Sequence, residues 1–237
     1  MPRLAVSVQT APLPLDISCL PKNIASLARG GTDGRAMRIS GGTARGIPLL
    51  VPKGGIVRPA TDGLRQAVFS SLGVRVAGAR FLDLFAGSGA YGLEALSRGA
   101  SGGVFVERNP KALESLRRNL DAVCKCLGRD ARSEIAVIPA DATTAPVIGG
   151  APDLVFVDPP YELIGSAAAP LFARLLALME PRPDALVVFE MPGECDLAPA
   201  GWRAVKRLGK GARQPTAVFF VPDSRRPAAL TSGPIRP

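Results

Sequence analysis

The chain contains no histidine and only four cysteines in 237 residues. Without histidine, no Ser-His-Asp or Cys-His scheme is available, and the commonest general base is missing. Cys124 and Cys126 are two residues apart, and no second Cys or His pair exists to complete a four-ligand zinc set. No metal is expected, and the thiols read as buried or incidental groups in a reducing compartment. Long hydrophobic runs are scarce too. No apolar stretch looks long enough to span a membrane. Near the N-terminus, Pro12, Pro14 and Asp16 break the only candidate for a signal-peptide core. Acids are rare at the ends: the first 36 residues hold only Asp16 and Asp33. Residues 1–36 are expected to be a disordered extension, with a transit peptide or an upstream start before Met37 as other readings. Residues 223–237, with Pro227, Pro234 and Pro237, are expected to be a disordered tail. A cytoplasmic protein with no membrane partner is expected.

What is present is 47% hydrophobic residues and an uneven charge. The formal total is +9, but Met1–Ala79 carries a net +7, Arg80–Glu190 a net −3 and Met191–Pro237 a net +5. A mildly acidic body between two basic flanks suggests a polyanionic partner held outside the core fold.

The apolar pattern gives the fold. Arg38–Val51, broken by Gly41-Gly42 and Gly46, predicts a β-hairpin. Thr61 or Asp62 is expected to cap a helix running to about Leu72. Strands are predicted at Arg80–Phe85, Gly103–Val106, Ile135–Ile138, Leu154–Val157 and Ala185–Phe189. Helices are predicted at Ala90–Arg98, Pro110–Cys126 and Ala167–Met179, and a closing hairpin at Trp202–Arg207 and Thr216–Val221. Alternating strands and helices imply an α/β, Rossmann-like, doubly wound and mostly parallel sheet ending in an antiparallel hairpin. Residues 37–75 form an N-terminal hairpin and helix in this reading, and residues 76–222 the main domain.

Two motifs carry chemistry. Asp83-Leu84-Phe85-Ala86-Gly87-Ser88-Gly89 is a strand end, a glycine turn and a helix start. There a backbone can approach a ligand closely at a polar helix N-terminus. Glu107 ends the next strand, where a carboxylate can accept both hydrogen bonds of a ribose diol. Asp83 is placed to meet a positively charged amino-acid moiety. Asp141, after the following strand, is placed to bond an adenine amine. The second motif is Asp158-Pro159-Pro160-Tyr161, just after a strand-like run. Two prolines stiffen the turn and leave a carboxylate, free carbonyls and an aromatic ring beside a pocket, which suits gripping a planar amino group. Gly87, Gly89 and Gly92 also satisfy G-x-G-x-x-G, so a nicotinamide dehydrogenase remains a rival.

The two motifs in this order resemble class I S-adenosylmethionine-dependent methyltransferases that modify exocyclic amines of bases. The N-terminal flank narrows the resemblance. Met37-Arg38-Ile39-Ser40-Gly41-Gly42, Ala44-Arg45-Gly46, Arg58-Pro59-Ala60-Thr61-Asp62 and Arg65-Gln66-Ala67-Val68-Phe69 are similar to the RsmD family, bacterial 16S ribosomal RNA guanine-N2 methyltransferases. The likeness runs from Met37 to about Val221. It departs at Gln66, where an acid is usual, at Ala60, where Thr is usual, and at Tyr161, where close relatives often carry Phe.

The resemblance implies S-adenosylmethionine as cofactor. Asp83, Phe85, Ala86, Gly87, Ser88, Gly89, Glu107, Arg108 and Asp141 would hold it. Asp158, Pro159, Pro160 and Tyr161 would be catalytic, and Tyr161 would stack on a splayed base. Arg38, Arg45, Lys53, Arg58, Thr61 and Arg65 would contact RNA; on charge alone, Arg203, Lys206, Arg207 and Lys210 are further candidate phosphate contacts. The implied partner is 16S ribosomal RNA, as part of the small ribosomal subunit or its assembly intermediate, met by a monomer at guanine 966. A DNA adenine-N6 methyltransferase and a non-catalytic RNA-binding protein remain alternatives.

Overall fold

The computed structural model describes residues 37–52, 59–130, 134–146, 149–180, 182, 184–209 and 214–223. The expected N-terminal extension, residues 1–36, and the expected tail beyond Asp223 lie outside the described residues.

Seven strands form one sheet in the order β3-β2-β1-β4-β5-β7-β6. They are β1 Arg80–Leu84, β2 Gly102–Glu107, β3 Ile135–Pro139, β4 Leu154–Val157, β5 Leu186–Pro192, β6 Trp202–Leu208 and β7 Pro215–Pro222. The first five strands run parallel. β7 inserts between β5 and β6 and pairs with both antiparallel. Within the predicted closing hairpin only β7 is therefore reversed, and β6 rejoins the parallel direction at the sheet edge. The order turns back on itself between β1 and β4, where open α/β sheets bind ligands.

Side chains alternate across the sheet, and both faces are covered, which is why the inner strands read as unbroken apolar runs. Leu82, Leu84, Val155, Val157, Val187 and Phe189 face one core with helix α4, Ile164–Met179. Phe81, Phe105, Phe156 and Val188 face the other core. Helices α1 (Pro59–Leu72), α2 (Ala90–Ser97) and α3 (Pro110–Leu127) cover that side.

Local chemistry sets the helix ends. Asn109 caps α3 by accepting from the Lys111 and Ala112 amides, Pro110 stands in the first turn, and Gly128 ends the helix at φ 63°. α1 starts at Pro59, earlier than expected. Thr61 and Asp62 thus lie inside its first turn rather than at its cap, and Asp62 pairs with Arg65 at 3.0 Å.

One expectation needs correction. Tyr161–Met179 spans 19 residues at a mean hydropathy of 1.5, long and apolar enough by length and composition to cross a bilayer. Its apolar stripe is used inside the protein: Leu171, Phe172, Leu175 and Met179 are buried against the sheet. Phe172 packs edge-on to Trp202 at 5.4 Å and to Phe220 at 4.9 Å.

The predicted N-terminal hairpin shrinks to one antiparallel bridge, Arg38 to Pro48. The segment is nevertheless fixed. Ile39, Ala44, Ile47 and Leu49 are buried in the α1–α3 core, at about 1.5–3 kcal/mol for each large side chain. Ser40 donates from both its amide and its hydroxyl to the buried Glu94 carboxylate, each at 2.7 Å, and Arg98 closes the cluster at 2.8 Å. Leu50 exchanges two hydrogen bonds with the Asn119 amide, which also donates to the Ser88 carbonyl at 2.9 Å. Asn119 therefore joins the N-terminal segment to the glycine turn.

Candidate active site

β1 delivers the glycine turn to the edge of the sheet. Phe85 takes a left-handed φ of 59°, which bulky L-residues rarely adopt and which is commonest at functional sites. The turn is stapled from the neighbouring strand. Ala86 donates to the Val106 carbonyl at 3.0 Å, and Gly87 donates to Glu107 Oε2 at 2.8 Å. Glu107 Oε1 accepts from the Asn109 amide at 2.7 Å. One carboxylate thus ties together the loops after β1 and β2. It offers about four acceptor positions, so both oxygens keep capacity for a diol.

β4 ends at Val157, and Asp158-Pro159-Pro160-Tyr161 turns away from the sheet there. The Pro160 carbonyl accepts from Leu163 at 2.9 Å, which tightens the turn into a 3-10 segment. A cavity of about 590 Å³ separates this turn from the glycine turn. Phe85, Gly87, Glu107, Asp158, Pro159 and Tyr161 line it. Its size is in the range of small-molecule sites. Arg108, Pro160 and Ala142 also reach its wall. A second cavity of about 670 Å³, between Arg75, Asp153 and Arg182, opens at the opposite sheet edge and holds none of the predicted residues.

Not every predicted residue touches the cavity. Asp83 is 2% exposed and lies under α2, where it accepts from the Gly92 amide at 2.9 Å. Burial, with Glu107 nearby, pushes its carboxyl up to about 8. Ala86 and Ser88 are buried, and Gly89 caps α2 at φ 84°. Gly92 is needed for packing: a Cβ there would stand 2.3 Å from the Phe105 ring. The dinucleotide-like spacing thus has a helix-to-sheet reason. Asp141 accepts from Thr143 through Oδ1 and from Arg108 at 2.8 Å through Oδ2. The Thr143 bonds, more than Arg108, hold its carboxyl below the usual range.

The basic residues divide. Arg38 and Arg45 are exposed on the N-terminal segment, and Arg203, Lys206 and Arg207 on β6. Arg207 is engaged with the Gly193 and Cys195 carbonyls at 2.7 and 2.9 Å. Arg65 does not present itself to RNA: it is 2% exposed, ion-paired with Asp62 at 3.0 Å, donates to the Arg38 carbonyl, and has Glu94 at 3.5 Å. Its apolar helix neighbours Leu64, Val68 and Phe69 carry it into the core. Lys53, Arg58, Lys210 and the side chain of Thr61 lie outside the described residues.

One residue of the cavity wall, and one that supports it from behind, were not foreseen. Glu190, 4% exposed in β5, lines the cavity beside Asp158. Tyr91 on α2 donates to Glu190 Oε2 at 2.9 Å and stacks on Phe156 at 5.3 Å. Burial, then the negative Glu190 and Asp158, raise the Tyr91 hydroxyl well above its ordinary value. The one sequence signal for this pair was an acid continuing the apolar run Ala185–Phe189.

Residues 37–218 match the family described as Conserved hypothetical protein 95. The chain is 40% identical over 126 residues to ribosomal RNA small subunit methyltransferase D of Escherichia coli, covering 53% of this chain and 60% of that protein. Its counterpart in Haemophilus influenzae is 31% identical over 178 residues, covering 74% and 89%. The solved structure of yhhF from Escherichia coli superposes with a TM-score of 0.63 at 31% identity, over 80% of this chain and 99% of that one.

Proposed function

Because the chain belongs to the Conserved hypothetical protein 95 family, the RsmD family of ribosomal RNA methyltransferases, we propose that it methylates the exocyclic N2 of a guanine in 16S ribosomal RNA, guanine 966 by resemblance. The observation that carries this reading is the facing of two turns across one cavity: Gly87 with Glu107 on one wall, Asp158-Pro159-Pro160-Tyr161 on the other. The chain's donor set fits S-adenosylmethionine. Gly87, at φ 55°, keeps its face open, with no atom nearer than 3.9 Å to where a Cβ would stand. Glu107 suits a ribose diol and Asp141 an adenine amine, while Asp83 stiffens the turn from behind. When bound, the cofactor would supply an electrophilic methyl on sulfonium sulfur.

The protein's part is positional. Guanine N2 is a weak nucleophile because its lone pair is delocalised into the ring. Asp158 and the Pro159 carbonyl accept the two amine hydrogens, localise the lone pair and stabilise the positive charge that develops on nitrogen. The surplus proton leaves to solvent or through Asp158. Tyr161 stacks on the base, which must be extruded from any helical stack. Arg38 and Arg45 hold phosphates of the RNA. The substrate is the small subunit or its assembly intermediate, met by a monomeric enzyme in the cytoplasm.

The test is Asp158→Ala. Methylation of ribosomal RNA should fall by ~10²-fold or more, the scale of losing a positioned transition-state contact. Calorimetric affinity for S-adenosylmethionine should survive. Unchanged turnover would end this assignment, and a thermal shift produced by NAD but not by S-adenosylmethionine would end the cofactor assignment.

A further inference from the structure

We propose that Glu190 reads the N1–H of the target guanine while Asp158 holds its N2 amine, so that the two carboxylates together select guanine against adenine. This deepens the methyltransferase reading and rests on it. The placement follows from the sheet. β4 and β5 are parallel neighbours, with Val157 opposite Phe189, so Asp158 and Glu190 are the next residues along the two strands. Adjacent strands lie about 4.8 Å apart. Phe156 and Val188, two residues earlier, face the α1–α3 core, and period-two alternation puts Glu190, still within β5, on that same side. Asp158 and Glu190 both line the cavity, and Tyr91 fixes one oxygen of Glu190 at 2.9 Å.

Two carboxylates side by side repel each other, and a surface carrying two adjacent donors relieves that repulsion. Guanine has such an edge: N1–H stands next to the N2 amine. Adenine does not. Its N6 amine is flanked by N1, a bare acceptor, which would face the Glu190 carboxylate lone pairs if the amine were gripped by Asp158. A site built to bond a substrate N–H rejects analogues that lack it far more strongly than an apolar pocket rejects a misfit. Extruded bases are read on this Watson–Crick edge. Asp-Pro-Pro-Tyr says only that an amine is held; the neighbouring strand says which base carries it. Tyr91 acts as a positioning residue, because it touches Glu190 and not the base.

The experiment replaces the guanosine that the wild-type enzyme methylates by 2-aminopurine, which keeps the N2 amine but has an acceptor at N1. Methyl incorporation into small-subunit ribosomal RNA gives kcat/KM for each base, and 2-aminopurine fluorescence reports its entry into the pocket without turnover. Wild type should prefer guanine by ~10²-fold or more. Glu190→Gln, whose amide can donate to the N1 acceptor, should bring the preference within ~10-fold and gain the fluorescence change. Should that variant not fold, Tyr91→Phe keeps the ring on Phe156 and should erode the preference about tenfold. A wild-type enzyme that uses both bases equally overturns the inference, as does an unchanged preference in the variants. A wild-type enzyme that methylates no guanine N2 overturns the guanine-N2 reading instead.

Discussion

Gly89→Ala separates the two reasons for glycine in the turn after β1. Gly89 sits at φ +84°, and a Cβ there would stand 2.3 Å from Leu116 Cδ1 and 3.1 Å from Leu93 Cδ1. Both leucines are fully buried at 0% exposure, so neither can swing aside. Holding an L-residue in the left-handed region costs roughly 1–2 kcal/mol, and overpacking a filled core costs roughly 1–3 kcal/mol more. The expected loss is ~2–5 kcal/mol, a large share of the 5–15 kcal/mol typical of a domain. Gly87 provides the control. Its φ is +55°, and the nearest atom to an added Cβ is 3.9 Å away, so Gly87→Ala should cost only the backbone part, about 1–2 kcal/mol. Gly87 lines the cavity, so that variant should instead weaken S-adenosylmethionine binding. Urea unfolding followed by circular dichroism gives both stabilities, and calorimetry gives the affinities. If Gly89→Ala loses less than ~1 kcal/mol, the packing argument is wrong. If the two variants lose equal stability, the distinction between the glycines is wrong.

Other outcomes follow from the same contacts. Asp83 titrates near 8 when folded, against 3.8 for the free group. The native state therefore holds a proton that the unfolded chain has released, and stability should decline as pH rises from about 4 to 8, by up to ~1.4 kcal/mol per pH unit. Asp83→Asn should flatten that decline in denaturation series across the range; an equally steep decline in the variant would refute a protonated Asp83. Arg38→Ala with Arg45→Ala should lower the slope of log affinity against log salt for RNA by ~1.5, since each phosphate contact contributes ~0.7–0.9; an unchanged slope would remove both from the RNA surface. Asn119→Ala strands the Leu50 amide and the Leu50 and Ser88 carbonyls, so unfolding should be easier by roughly 2–4 kcal/mol. A loss near zero would mean that water replaces all these bonds.

Much of the fold was legible because its causes are local. Unbroken apolar runs such as Leu154–Val157 mark strands buried on both faces. Asn109, Pro110 and Gly128 bracket α3 by capping chemistry that acts within a few residues. The expectation for Arg65 was carried over from the resemblance and fails for a non-local reason. Its helix neighbours Leu64, Val68 and Phe69 are buried, and Glu94, 29 positions later in the chain, stands 3.5 Å away and is itself fully buried. The helix over Tyr161–Met179 shows the same gap: apolar length alone does not say whether lipid or a β-sheet receives the stripe.

The sequence by itself determined the strands of the sheet, the ends of α3 and the two turns that bear chemistry, because hydrophobic runs, proline, glycine and capping side chains act over short stretches of chain. Only the tertiary structure decided that β7 enters between β5 and β6, that Asp83 lies behind its turn rather than in the cavity, and that Glu190 stands beside Asp158. Those facts depend on which strands become neighbours and on how the helices pack over them, and no residue-level preference encodes that choice.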